Sequence, residues 1–256
     1  MNIFKQLVSS NYSPKDIAHF RFQGIGKTIL YVFLLTLLSV IPAMYFLNSA
    51  IIDGVSAAKD MVNRDFPSFT IENGRLHSDM DEPVILKQND FEFILDSTGE
   101  LKTDDLIEYD NAILLLEKDF VFIADGQSQA FPYSMAENLT LSKDDVIDFV
   151  NELDTALMVI LPIFSLVIYI FSSGMKFIEI SILALFGLMI VNSTGRNQKY
   201  GQVWRMSAYS VTLPTIFFTI MSAIQTTVPL GFFIHWIVAY IVLYLALKEI
   251  PLPKKP

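Results

Sequence analysis

Few side chains in this 256-residue chain could do chemistry in an apolar setting. Lys176 and Glu179 stand three apart in an oily run, a spacing that puts ammonium and carboxylate on one helical face where they can pair. Ionisable groups inside a membrane are costly and mark function by default. Set against that, Glu179 lies only about one helical turn inside its segment, so the favoured expectation is that it reaches the headgroup region. Arg205, in the polar stretch that follows, completes the set of membrane polar candidates. A second candidate is Asp96-Ser97-Thr98-Gly99. It differs from the Asp-Thr-Gly of aspartic proteases by an extra residue and by lacking a second aspartate lobe. It also lacks the lysine of the phosphorylated aspartate motif of P-type pumps. Asp96 is expected to cap a turn and Gly99 to supply a positive φ, with the four residues kept as a candidate recognition turn.

Other patterns carry less. Gly24-Ile25-Gly26-Lys27-Thr28 ends like a phosphate-binding loop, but Arg21 occupies the required glycine position, and a preceding strand and a soluble helix are missing. Lys27 reads instead as a juxtamembrane anchor. The acidic runs Asp79–Glu82 and Asp104–Asp110 lack the spacing of a calcium loop and read as solvated faces. His19, His77 and His235 fall in different compartments and are not expected to form one site. The absence of cysteine removes disulfides, thiolate metal sites and thiol nucleophiles. Asn138-Leu139-Thr140 is a glycosylation sequon only in a eukaryotic secretory pathway. No catalytic, cofactor or metal residues are assigned, and the chain is read as no enzyme.

The elements that hold these residues follow from how charge is sorted. Residues 48–155 carry 24 acidic against 7 basic side chains, a net of −17, whereas the remainder has 11 basic and 3 acidic, a net of +8. With 52% apolar residues collected in continuous blocks, lipid is the solvent for the remainder. The expected fold is a helical membrane protein of about five crossings, carrying a small β-rich α+β insert between the first and second. The segments are a cytoplasmic amphipathic 1–27, a first transmembrane helix 28–47, an acidic extracytoplasmic domain 48–155, a four-helix membrane region 156–248 and a tail 249–256. Thr28–Leu47 has the roughly 20 uncharged residues that a crossing needs, and is too long for a signal-peptide core.

Lys5, Lys15, Arg21 and Lys27 against Asp16 hold the N-terminus inside, which puts residues 48–155 outside. Ser172-Ser173-Gly174-Met175-Lys176 is expected to turn between helices at about 156–173 and 177–192. A polar loop with Arg196, Lys199 and Arg205 then precedes apolar runs near 207–225 and 231–248. Five crossings would put Arg196, Lys199, Arg205 and the Lys254-Lys255 tail outside, against the charge rule. Four would satisfy it if Ile178–Val191 were re-entrant or interfacial, so the side of the C-terminus stays undecided.

Ser13-Pro14-Lys15-Asp16 should start a helix, on an N-terminal segment that lies on the inner leaflet or serves as an interaction arm. In the insert, Asn48–Asn63 is helix-compatible. Asn73-Gly74 signals a hairpin between strands at 69–71 and 75–77. Pro83–Lys87, Phe91–Leu95, Ala112–Glu117 and Phe120–Ala124 read as further strands, with turns at Ser97–Gly99 and Asp125-Gly126. Ser142-Lys143-Asp144-Asp145 approximates a capping box, and its helix should run directly into the second crossing.

Arg21, Gly26-Lys27-Thr28, Tyr31, Ile41-Pro42, Ile94–Gly99 and Pro214, taken in order, resemble the bacterial inner-membrane family called domain of unknown function one-one-eight-nine. Its members are often labelled maltodextrin utilization proteins and are grouped distantly with Yip-type five-helix proteins. The resemblance implies a Gram-positive plasma membrane, an accessory link to sugar uptake, and no assigned catalytic residues. The expected function is therefore a non-enzymatic accessory or sensory integral membrane protein, its partners the lipid bilayer and another membrane or envelope protein, with no nucleic acid and no cofactor. The alternative is a small transporter or lipid-handling protein, for which prolines 42, 162 and 214 and residues Lys176, Glu179 and Arg205 speak. A membrane hydrolase would need a paired nucleophile and base that the sequence does not offer.

Overall fold

The structure, a computed structural model, describes residues 1–64, 67–88, 91–101, 109–124, 126–136 and 140–252. Asp104 to Glu108, Asp125, Asn138-Leu139 of the sequon and the Lys254-Lys255 tail lie outside the described residues. The chain divides into two compact units, Met1–Asn48 with Leu161–Pro256, and Ser49–Ile160.

The first unit is helical: α1 (Ile3–Ser10), α2 (Pro14–Phe20), most of the apolar part of α3 (Ile25–Arg64), the C-terminal part of α4 (Lys143–Ser193), α5 (Tyr200–Ser210), α6 (Thr212–Ala223) and α7 (Gly231–Lys248). Ser13 caps α2 as expected, accepting from the Asp16 amide at 3.2 Å, with Pro14 at the first helical position. Its Ile17, Ala18 and Phe20 are buried in one core with Tyr31, Leu35, Leu183, Met206, Tyr209 and Leu243. α1 is turned the other way: Gln6, Ser9 and Ser10 are buried while Phe4 and Val8 are exposed. α1 thus buries its polar face in the bundle and leaves an apolar face outward, the arrangement that lipid rather than water rewards.

Four helices among the described residues are long and apolar enough to cross a membrane: Ile25–Asp60, Lys143–Ser193, Tyr200–Ala223 and Gly231–Lys248. The turn expected at Ser172-Ser173-Gly174-Met175-Lys176 is absent, because α4 runs unbroken through it. One glycine costs a helix about 1 kcal/mol, whereas backbone groups left unpaired in lipid would cost several each, so an unbroken helix is the arrangement compatible with an apolar surrounding. Arg205, expected in a loop, lies on α5. The chain does break at Val211, between α5 and α6. Pro214 has no N–H for the Ser210 carbonyl, which explains that break. Arg205 Nη1 donates to the Arg21 carbonyl at 3.3 Å, and Arg196 Nε and Nη2 donate to the Ile250 and Lys248 carbonyls, both at 3.1 Å. These bonds tie α5 to the end of α2, and the 194–199 loop to the end of α7.

The second unit holds two sheets. β1 (Phe69–Glu72) lies between β2 (Arg75–Ser78) and β8 (Leu141–Ser142), antiparallel to both. Asn73 and Gly74 take positive φ of 51° and 74°, forming the expected Asn-Gly hairpin. The five-stranded sheet runs β3 (Val84–Gln88), β4 (Phe91–Leu95), β5 (Ala112–Leu115), β6 (Asp119–Ala124), β7 (Gln127–Pro132). Its β4–β5 pair is parallel and the others antiparallel. A parallel pair needs a crossover of a dozen or more residues, which residues 96–111 supply. Both faces of β4 are buried: Phe93 and Leu95 pack with Phe69, Ile71 and Leu76, and Ile94 with Leu114, Val121 and Ile123. Buried faces on both sides explain why β5 reads as an unbroken apolar run and β4 is interrupted only by Glu92. Ser142 and Asp145 form the anticipated reciprocal cap at the start of α4, with Ser142 N and Oγ donating to Asp145 Oδ2 at 2.7 and 2.5 Å and the Asp145 amide to Ser142 Oγ at 3.2 Å.

Candidate functional site: a buried ionic cluster

Glu179 anchors the most polar part of the helical unit. Lys176 Nζ lies 2.8 Å from Glu179 Oε2, one turn away on α4, and also donates to Thr215 Oγ1 on α6 at 3.3 Å. On the other carboxylate oxygen, His235 Nε2 of α7 stands 2.7 Å from Oε1. The side chains of Lys176, Glu179 and His235 are only 13, 16 and 16% exposed. Glu179 is therefore held by partners on its own helix and on α7. Burying one carboxylate between a cation and an imidazole is tolerable because each oxygen is met by a donor.

The sequence positions these groups by simple means. Lys176 and Glu179 share a face through the i, i+3 geometry. His235 enters from the first turn or so of α7, whose N-terminus is set by Leu230 at φ 56° and by the close approach of Gly231 to Phe218. A Cβ at Gly231 would fall 2.9 Å from Phe218 Cε1, so a side chain there would displace the ring that lies 5.7 Å from the His235 imidazole. The cluster borders a cavity of about 570 Å³ whose wall includes Thr36 and Ser39 of α3, Ser172 of α4, Phe218 of α6 and Trp236 of α7. Thr36 and Ser39 donate to carbonyls of their own helix, at 2.9 and 2.8 Å, so neither hydroxyl is aligned on His235. With Nε2 turned to Glu179, His235 Nδ1 is the ring position left for a ligand or a proton. The arrangement thus leaves one ring nitrogen for a polar group, while no hydroxyl is paired with the imidazole as an activated nucleophile among the described residues.

Arg205 is not part of this cluster; it bonds to the Arg21 carbonyl instead. The Asp96 turn belongs to the other unit. Asp96 is fully buried, its Oδ1 accepting from Thr98 N, Thr98 Oγ1 and Gly99 N at 2.9, 2.6 and 3.1 Å, and its Oδ2 from Leu101 N at 2.8 Å. Gly99 has φ +77°, and an added Cβ would meet Glu117 Oε2 at 2.8 Å. Cap and positive φ are as expected, and both carboxylate oxygens are consumed by the turn. Among the described residues no group of acidic and histidine side chains could hold a metal ion.

Sequence reasoning missed His235 as a partner of Glu179. The available signal was its position, four residues into an apolar helix with no charge before the terminal Lys248, where an ionisable group needs a mate. Also missed was a buried polar network in which Gln6, Gln23 and Tyr209 bond to one another, and Tyr31 Oη meets Thr212 Oγ1 at 2.5 Å.

No curated protein and no solved structure matches the chain. The family model described as "Protein of unknown function (DUF1189)" matches residues 4–247, nearly the whole length. The chain therefore belongs to that family, and the resemblance read from Arg21 through Pro214 was to the right one.

Proposed function

We propose that this protein is a non-enzymatic accessory or sensory component of the bacterial plasma membrane, with its acidic insert extracytoplasmic and its helical unit in the bilayer. One observation carries the reading. α4 is a single helix whose early residues Val146, Phe149 and Val150 line the sheet unit and whose later residues Lys176 and Glu179 form the ionic cluster. A shift or rotation of that helix, driven by a partner bound to the insert, would act directly on the Lys176–Glu179–His235 contacts.

Four crossings, with both termini cytoplasmic, fit this reading. The continuity of α4 supports them, as do the bonds of Arg205 to Arg21 and of Arg196 to the end of α7, since short basic flanks favour the cytoplasm. The maltodextrin label of the resembled family makes a sugar-uptake component the first partner to seek. The test is crosslinking of the full-length chain in intact membranes before mild solubilisation. The reading expects a second protein, captured less well from Glu179→Gln membranes. Recovery of the chain alone, with and without crosslinker, contradicts it.

A second reading, a small transporter or lipid-handling protein, is favoured by the 570 Å³ cavity bordered by Lys176, Glu179 and His235. It requires uptake or lipid flipping in proteoliposomes to fall with Glu179→Ala and His235→Ala. Transport that both variants leave unchanged removes it.

A further inference from the structure

The insert contains a different kind of cavity, of about 360 Å³, between its sheets and the helices that flank them. Ala58 and Val62 of α3, Ile113 of β5, and Phe149 and Val150 of α4 are among its walls, and all its lining side chains are apolar except Tyr133. The Tyr133 hydroxyl is buried without a hydrogen-bond partner among the described residues. Phe149, 58% exposed, marks the open side.

We propose that this cavity binds the hydrocarbon chain of a membrane lipid, which enters beside Phe149. Water has almost nothing to bond to on these walls, and an empty space of this size would forfeit packing contacts on every side, so an apolar body is the fitting occupant. The volume falls in the range of ligand sites, roughly 300–1,000 Å³. The source follows from two features. Phe149 precedes Ala156, the start of the apolar stretch of α4, by seven residues, which is about 10 Å of helix. The net −17 of residues 48–155 repels anionic amphiphiles approaching through water, leaving the bilayer as the supply. Burial, reinforced by the charge of Asp119, raises the Tyr133 phenol well above its usual value. It therefore stays neutral and able to donate to a polar group at the head of the chain.

The experiment uses the full chain in phosphatidylcholine–phosphatidylglycerol vesicles containing a phosphatidylcholine with a diazirine at the end of one acyl chain. After irradiation, labelled peptides are mapped by mass spectrometry. The expected result is label on residues 141–150 as well as on the apolar stretch 158–170. Ala58→Trp, which fills the cavity, should lower the 141–150 label at least fivefold and spare 158–170. Ile113→Phe should lower it in the same direction and decides the matter if Ala58→Trp fails to fold. Label on 141–150 no greater than on the exposed strand Gln127–Pro132, or equal in wild type and the folded filled variant, overturns the proposal.

Discussion

The helical unit and the insert treat buried polarity in opposite ways. In the helical unit, whose outer surface is apolar, an ionic cluster and a Gln6–Gln23–Tyr209 network sit inside, and polar side chains border the cavity. In the insert, whose sequence is strongly acidic, the cavity is apolar and the one fully buried carboxylate among the described residues, Asp96, is spent on capping its own turn. The difference is the one expected if lipid surrounds the first unit and water the second. A surface dissolved in lipid gains nothing from sequestering apolar groups and has only its interior in which to satisfy polar ones. A surface in water sheds its apolar groups inward and solvates its charges. The buried polar groups of the first unit join different helices, whereas the buried carboxylate of the second serves its own turn.

Both tryptophans, Trp204 and Trp236, lie in the helical unit, so their emission reports that unit alone, while protease cleavage within 67–136 reports the insert. The largest effect is expected from Glu179→Ala. Removing the carboxylate leaves the buried Lys176 charge with only the Thr215 hydroxyl and His235 without its partner, at about 3–5 kcal/mol. The tryptophan-monitored unfolding transition in detergent should fall sharply, with insert cleavage unchanged. Joint replacement by Lys176→Met and Glu179→Leu should recover most of the loss, because no lone charge remains.

Asp96→Ala strands the amides of Thr98, Gly99 and Leu101 and should cost the insert about 2–4 kcal/mol. Cleavage within 67–136 should accelerate while the tryptophan transition holds. A tryptophan shift as large as that of Glu179→Ala would break the separation of the two units.

Ser142→Ala removes the reciprocal cap of α4 and should cost about 1 kcal/mol, again read by cleavage in the insert. The smallest change is expected from Lys59→Ala. Its 2.8 Å pair with Asp154 has side chains 37 and 42% exposed, so screening leaves it below about 0.5 kcal/mol. The contrast between that pair and Lys176–Glu179, at the same 2.8 Å, measures what burial adds.

Local signals in the sequence carried much of this fold. The Asn73-Gly74 hairpin, the Ser13-Pro14 and Ser142–Asp145 helix starts, and the strand at Phe91–Leu95 are each written in a few adjacent residues whose backbone preference acts alone. What was missed depends on the surroundings. Ser172-Ser173-Gly174 is a turn signal in water and a tolerable helix in lipid. The β4–β5 parallel pair joins strands across a long crossover with no turn signature, and β7, Gln127–Pro132, is exposed and half polar, without the alternation that marks a half-buried strand. Of the candidate site, the Lys176–Glu179 pair was legible from spacing, but His235 comes from 56 residues further on, and no local pattern encodes that meeting.

The claim on which all of this depends is that the insert lies outside, with both ends of the helical unit inside. The natural absence of cysteine makes single-cysteine labelling the direct measurement. Glu100→Cys, Lys15→Cys and Asn197→Cys, all at exposed positions, are each treated on intact cells with a membrane-impermeant maleimide, then again after permeabilisation. The account predicts that Glu100→Cys labels on intact cells and that the other two label only once the membrane is opened. Labelling of Asn197→Cys from outside, or protection of Glu100→Cys, contradicts it.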